Sequence, residues 1–186
     1  SDSNIKNVVN DWFKGGDKRK KVEETYGKMP KWNVSKVTDM SELFSKKDNF
    51  NENISKWDVS SVINMQGMFQ GAESFNQPIG DWNVSNVTDM NNMFAWVISF
   101  NQPLNKWNVE KATNMLGMFY NASKFNQPLQ DWDVSKVTNM NYMFRESSFN
   151  QPLNEWKVSN VFSMRGIFSY ARKFNQPLND WNVSNV

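Results

Sequence analysis

Tryptophan recurs in this chain at positions 32, 57, 82, 107, 132, 156 and 181, an interval of 25 residues with a single step of 24. Met40, Met65, Met90, Met115, Met140 and Met164 keep the same beat. So do Phe50, Phe75, Phe100, Phe125, Phe149 and Phe174, each followed by Asn. A fixed period of this length commits a chain to a stack of like units, because one unit cannot bury its own apolar side and its neighbours can. The missing residue lies between Phe144 and Phe149, five positions apart where Phe119 and Phe125 are six apart. That places it in a loop or helix end, where deletion is tolerated.

One unit reads approximately F-N-Q-P-L-x-x-W-x-V-S-x-V-T-x-M-x-x-M-F-x-x-A-x-x. Leu104, Trp107, Val109, Ala112 and Met115 follow the apolar spacing of a leucine-rich-repeat frame. Alternation at Trp107-Asn108-Val109 predicts a short strand with Trp and Val inward. Met90, Met93, Phe94 and Val97, at i, i+3, i+4 and i+7, predict a helix capped by Thr88 or Asp89 and broken by Phe100-Asn101-Gln102-Pro103. The expected fold class is therefore α/β: a right-handed, leucine-rich-repeat-like solenoid with one short parallel strand and one short helix per coil. Residues 30–186 form about six and a half repeats of it.

The leader differs from the repeats. Ile5, Val8, Val9, Trp12 and Phe13 make a helical stripe stopped by Gly15-Gly16, and residues 17–26 read as a second helix ended by Gly27. Residues 1–29 are expected to cap the first coil, which would otherwise present open apolar surface. At the other end the chain stops at Val186 in mid-repeat. Two readings stand: a fragment of a longer array, or a domain that covers its last coil by self-association.

Asn51, Asn76, Asn101, Asn126, Asn150 and Asn175 fall in one column. In a turn buried between coils, stacked amides can donate and accept for their own loop and the next. On that expectation Asn101→Ala costs about 1–3 kcal/mol.

Composition closes several functional classes. With no cysteine there is no thiolate metal site, disulfide or thiol nucleophile, and with no histidine there is no imidazole base or ligand. No metal or other cofactor is expected, and acidic side chains on a regular stack do not converge on a cleft with a poised base, so no enzyme is expected. The longest apolar run, residues 94–98, is too short to span a membrane. The net charge of +2 comes from the first fifty residues, and Lys18-Arg19-Lys20-Lys21 is the sole basic cluster. Four such residues ahead of Val-Glu-Glu read as a solvated helix face and not as a nucleic-acid footprint.

The motifs FNQPL, W-x-V-S-x-V-T-x-M and M-F-x-x-A, together with Trp12 and Tyr26-Gly27 ahead of the first repeat, resemble the BspA-like leucine-rich-repeat surface proteins. The resemblance is particularly to the form abundant in mycoplasma surface lipoproteins and also found in firmicutes. The resemblance covers about residues 30–186. It departs at Glu52-Asn53-Ile54 in place of Gln-Pro-Leu, at Glu110 in place of Ser and at Phe162 in place of Thr. It implies an exported protein on a bacterial cell surface, anchored by a segment outside this one and used in adhesion or host contact.

Two sets of residues are candidates for binding. Asn33, Asp58, Asn83, Asn108, Asp133, Lys157 and Asn182 form the polar column opposite the inward Trp and Val. Repeat proteins use such rows as extended binding surfaces, although a solvated strand face has the same pattern. Trp96 and Ile98 depart from the repeat at positions that are small or polar elsewhere. They read either as an aromatic anchor for a partner or as packing of Trp96 on Tyr120 of the next coil. The anchor reading expects Trp96→Ala to lower binding and leave the melting temperature alone. The favoured function is a recognition or adhesion module that binds a host or neighbouring-cell protein or glycan. The alternative is a passive spacer or antigenic coat.

Overall fold

The computed structural model describes residues 1–186. Helix α1 (Asp2–Lys14) buries Ile5, Val9 and Trp12 along one stripe, and α2 (Gly16–Tyr26) buries Val22. Gly15 and Gly27, at φ 71° and 74°, end them in a backbone region that other residues enter only at a cost. A single 3₁₀ turn, Met29–Lys31, then delivers Trp32 to the first coil.

The helix pair is fastened to that coil by polar and aromatic contacts together. Asp2 accepts the Thr38 backbone N–H and hydroxyl, each at 2.6 Å, and the Asp39 N–H at 3.1 Å. Trp12 donates its indole N–H to Glu52 at 2.7 Å and meets Trp32 edge-on at 5.4 Å. Arg19 covers the other face of Trp12 at 4.0 Å. Phe13 packs edge-on against Phe44 and Phe50.

Beyond residue 31 the expected α/β architecture is overturned: the repeats contain neither a strand nor a helix. Successive units are joined by five isolated parallel bridges, from Asp39–Asn64 through Asn139–Ser163, and no sheet forms. This is not a leucine-rich-repeat solenoid. Each coil is instead a chain of overlapping β-turns, and the first and last residues of alternate turns face inward.

The coil around Met90 shows how. The N–H groups of Met93, Ala95 and Val97 close turns on the carbonyls of Met90, Asn92 and Phe94, at 3.1–3.2 Å. The N–H groups between them, of Met90, Asn92, Phe94 and Trp96, cross to Asn114, Leu116, Met118 and Tyr120 of the next coil, at 2.7–3.0 Å. The Asn91 N–H is held by the Asp89 side chain at 2.9 Å, so every donor from 90 to 97 is satisfied.

This arrangement explains the misread elements. Two back-to-back four-residue turns place residues 1, 4, 5 and 8 inward, the same spacing as one stripe of a helix. Asp89 closes a turn and caps no helix, and Thr88 bonds to Ile63 of the preceding coil. At the expected strand, Trp107 ends the turn begun by Leu104 and Val109 begins the turn ended by Ala112, so their alternation comes from adjoining turn corners.

Inside, the rings form continuous columns. Each coil stacks its own pair of phenylalanines, as Phe94 on Phe100 at 4.4 Å and Phe119 on Phe125 at 4.2 Å. Across coils Phe69, Phe94, Phe119 and Phe144 lie 5.6–5.7 Å apart in nearly parallel planes. Trp107, Trp132 and Trp156 repeat at 6.4 Å. From Trp57 onward each indole N–H on the beat donates to a carbonyl three residues before the previous Trp, as Trp107 to Ile79 at 3.0 Å and Trp132 to Leu104 at 2.9 Å, so the amphipathic ring packs inward with its polar atom satisfied. In the short unit Ser147 is buried and takes the place of Ala; its hydroxyl donates to Phe144 O at 2.8 Å and accepts the Phe149 N–H at 3.4 Å. That N–H has a backbone acceptor in the full-length units, such as Ala122 for Phe125.

Candidate ligand-binding surfaces

The polar column Asn33, Asp58, Asn83, Asn108, Asp133, Lys157 and Asn182 lies on one exposed line. It is not a strand face, because there is no strand. Asn33, Asp58, Asn83, Asn108, Asp133 and Asn182 each accept the backbone N–H two residues on, at 3.0–3.1 Å, which makes a side-chain-closed turn. Ser35, Ser60 and Ser85 add a hydroxyl bond to the same oxygen at 2.6–2.7 Å. The Ser60 hydroxyl and N–H hold the Asp58 carboxyl below its ordinary range, and Ser135 does the same for Asp133. Lys157 departs from the pattern and has no such bond. One oxygen of each remaining member therefore has a structural role, and what faces outward is an amide N–H₂ or a second carboxylate oxygen. No group of three acidic side chains converges with the geometry of a metal site.

The asparagine column is at the surface, not in a buried turn. Asn51, Asn76, Asn101, Asn126 and Asn150 each accept, through the side-chain oxygen, the N–H of the next asparagine in the column, ending at Asn175, at 2.8–3.0 Å. The glutamine that follows each asparagine completes the ladder, as Gln102 does on Asn76 at 3.1 and 3.2 Å. This role for Gln was not drawn from the sequence, although Asn-Gln stands at every unit but the first. Asn76, Asn101, Asn126 and Asn150 line an open groove of about 620 Å³ with Lys124 and Lys173.

A third surface gathers residues that break the repeat. Trp96 is 43% exposed and lies on Tyr120 of the next coil, ring centroids 5.4 Å apart. Ile98 is half-buried on the loop leading to Phe100. Sequence reasoning missed the rest of this cluster. The Arg145 guanidinium lies 5.4–5.6 Å from the rings of Tyr120, Tyr142 and Tyr170, and Arg165 lies 6.0 Å from Tyr142. Its signal was available, since these are three of the four tyrosines and none is on the 25-residue beat.

Trp96, Tyr142 and Tyr170 also have positive φ, 62°, 58° and 57°, at turn positions that hold Gly67, Gly71 and Gly117 in some units and Glu42, Lys46, Asn92, Asn121 and Glu146, likewise at positive φ, in others. A bulky residue there costs on the order of 1 kcal/mol of backbone strain.

The family described as Mycoplasma protein of unknown function, DUF285, matches residues 17–124 and again residues 99–186. The chain belongs to this family. The two DUF285 matches cover α2 and all the coils, and they overlap over residues 99–124, as a multi-repeat pattern does when it slides by whole units along an array. No curated protein and no solved structure matches the chain. The DUF285 assignment agrees with the coarse part of the sequence resemblance, a mycoplasma repeat family. The leucine-rich-repeat part does not survive the absence of strands.

Proposed function

We propose that this DUF285 chain is a non-enzymatic recognition module, displayed on a bacterial cell surface, that binds a host or neighbouring-cell protein or glycan through side chains on the outside of its coils. The observation that carries this reading is the division of the molecule into constants and exceptions. Everything that repeats is accounted for by ring stacking, inter-coil bonds and turn closure. Trp96, Tyr120, Tyr142 and Tyr170 with two arginines, in contrast, are off the beat and collect on one outer strip, where no repeating contact of the core requires them. The resemblance to BspA-like surface proteins supports the location, and repeated coils supply avidity.

A second reading, a passive spacer or antigenic coat, draws support from the polar column, most of whose members close their own turns and need no ligand. Screening the purified chain against a glycan array and a host-cell extract separates the two. A saturable ligand supports recognition, and no ligand in either screen supports the spacer. Reproducible turnover lost on one Asp or Glu substitution would overturn both.

A further inference from the structure

We infer that the outer strip formed by Trp96, Tyr120, Tyr142, Arg145, Arg165 and Tyr170 is a binding site for a carboxylated glycan, an inference that rests on the recognition reading above and names its surface and ligand class. The six side chains come from four successive coils, so they form a row along the stack and not a point. Trp96 leans on Tyr120, and Arg145 is wedged among three tyrosine rings while pairing with Glu146 at 3.2 Å. These contacts set the rings side by side in advance of a ligand, which reduces the side-chain freedom to be lost on binding.

The chemistry of the row favours a polymer of sugar rings over a peptide. On the coils before the last a peptide could not add as a strand, because the N–H groups of Trp96, Tyr142, Phe144 and Glu146 already bond to Tyr120, Arg165, Ile167 and Ser169 of the next coil. Along most of the row only side chains remain to be read. Exposed Trp and Tyr rings offer flat apolar faces with polar edges, which complement a pyranose with its apolar face and hydroxyl rim. Arg165 supplies the charge preference. It lies over Tyr142 and has no acidic partner within ion-pair distance, so its planar fork of donors is free for a carboxylate. Arg145, neutralised by Glu146, serves to hold the tyrosines in place.

The backbone makes the test selective. Trp96→Gly installs the residue that stands at the equivalent position 71, so it removes the ring and the left-handed strain together. Arg165→Gln removes an exposed charge and leaves the backbone as it is. The full chain is immobilised, and hyaluronan, alginate and polysialic acid are titrated over it alongside neutral dextran and phosphatidylserine vesicles. Saturable binding of a carboxylated glycan is expected, weakened about tenfold or more by each substitution, with the melting midpoint of both variants close to that of the parent.

Binding undiminished by Trp96→Gly and Arg165→Gln overturns the site, as does dextran binding of equal strength, binding to vesicles alone, or no glycan binding. The broader recognition reading fails separately. If a partner found in the host-extract screen still binds the Trp96→Gly chain, the strip is wrong and recognition stands. If nothing binds in any arm or screen, both are lost.

Discussion

Single side chains in this protein satisfy backbone groups that the turns leave open, and two of them give sharp expectations. Ser147 stands where Ala72 and Ala122 stand in full-length units, and its hydroxyl supplies the acceptor that the missing residue removed from Phe149. Ser147→Ala, a change to the residue preferred elsewhere in the array, is therefore expected to cost about 1–2 kcal/mol by stranding a buried N–H. Denaturant melts showing no loss would place that N–H against some other acceptor. Asn101 accepts from the Asn126 N–H and from Gln127, but it does so in contact with water, which can replace it. The 1–3 kcal/mol expected for a buried ladder falls to about 0.5–1 kcal/mol for Asn101→Ala. The same melts measure it.

At the scale of elements the sequence was readable in period and burial and misleading in type. The beat of Trp, Met and Phe identifies the core, and the Met, the Phe and all the beat Trp but Trp181 are buried in every coil before the last. Met90, Met93, Phe94 and Val97 could not distinguish a helix from two consecutive turns, because both bring residues 1, 4, 5 and 8 to one side. The deciding signal was in the positions between. The positions two and six residues after the repeat methionine all have positive φ; half of them hold Gly67, Gly71, Asn92, Gly117, Asn121 and Gly166, and the rest hold Glu42, Lys46, Trp96, Tyr142, Glu146 and Tyr170, which blurred the signal. Gly and Asn at a four-residue interval suit left-handed turn positions and disfavour a helix. The aromatic strip was illegible for a related reason. Tyr142 and Arg165 become neighbours only once alternate N–H groups are known to tie one turn to the next.

The helical leader gives a prediction at this scale, since Asp2 joins α1 to the first coil. The Thr38 hydroxyl and the Thr38 and Asp39 N–H groups lower its carboxyl below the ordinary value of 3.8. A lowered folded value means that this contribution is present above about pH 4 and is lost as pH falls through the folded value. Melting temperature should decline below pH 4, and Asp2→Asn should flatten that decline. An unchanged slope would mean that other carboxylates dominate.

Across the whole molecule, stability accumulates from contacts between adjacent coils, so the array should tolerate whole-unit editing. Deleting residues 51–75 joins Phe50 to Asn76 in register and replaces Glu52, the acceptor for Trp12, by Gln77. The shortened chain is expected to fold, with a modestly lower melting point and a shorter maximum dimension in solution scattering. Deleting half a unit should abolish the cooperative transition, since every ring would face the wrong partner. The direction of the inter-coil bonds has a mechanical consequence as well. Because those bonds run from each coil to the next, tension applied at the two termini loads them in series, and the weakest junction opens while the others stay closed. A tethered molecule stretched between a host and a cell would then yield in successive steps, each paying out roughly 80–90 Å of slack per 25 residues. Under such a load the array would act as a shock absorber, its links reclosing when the pull relaxes.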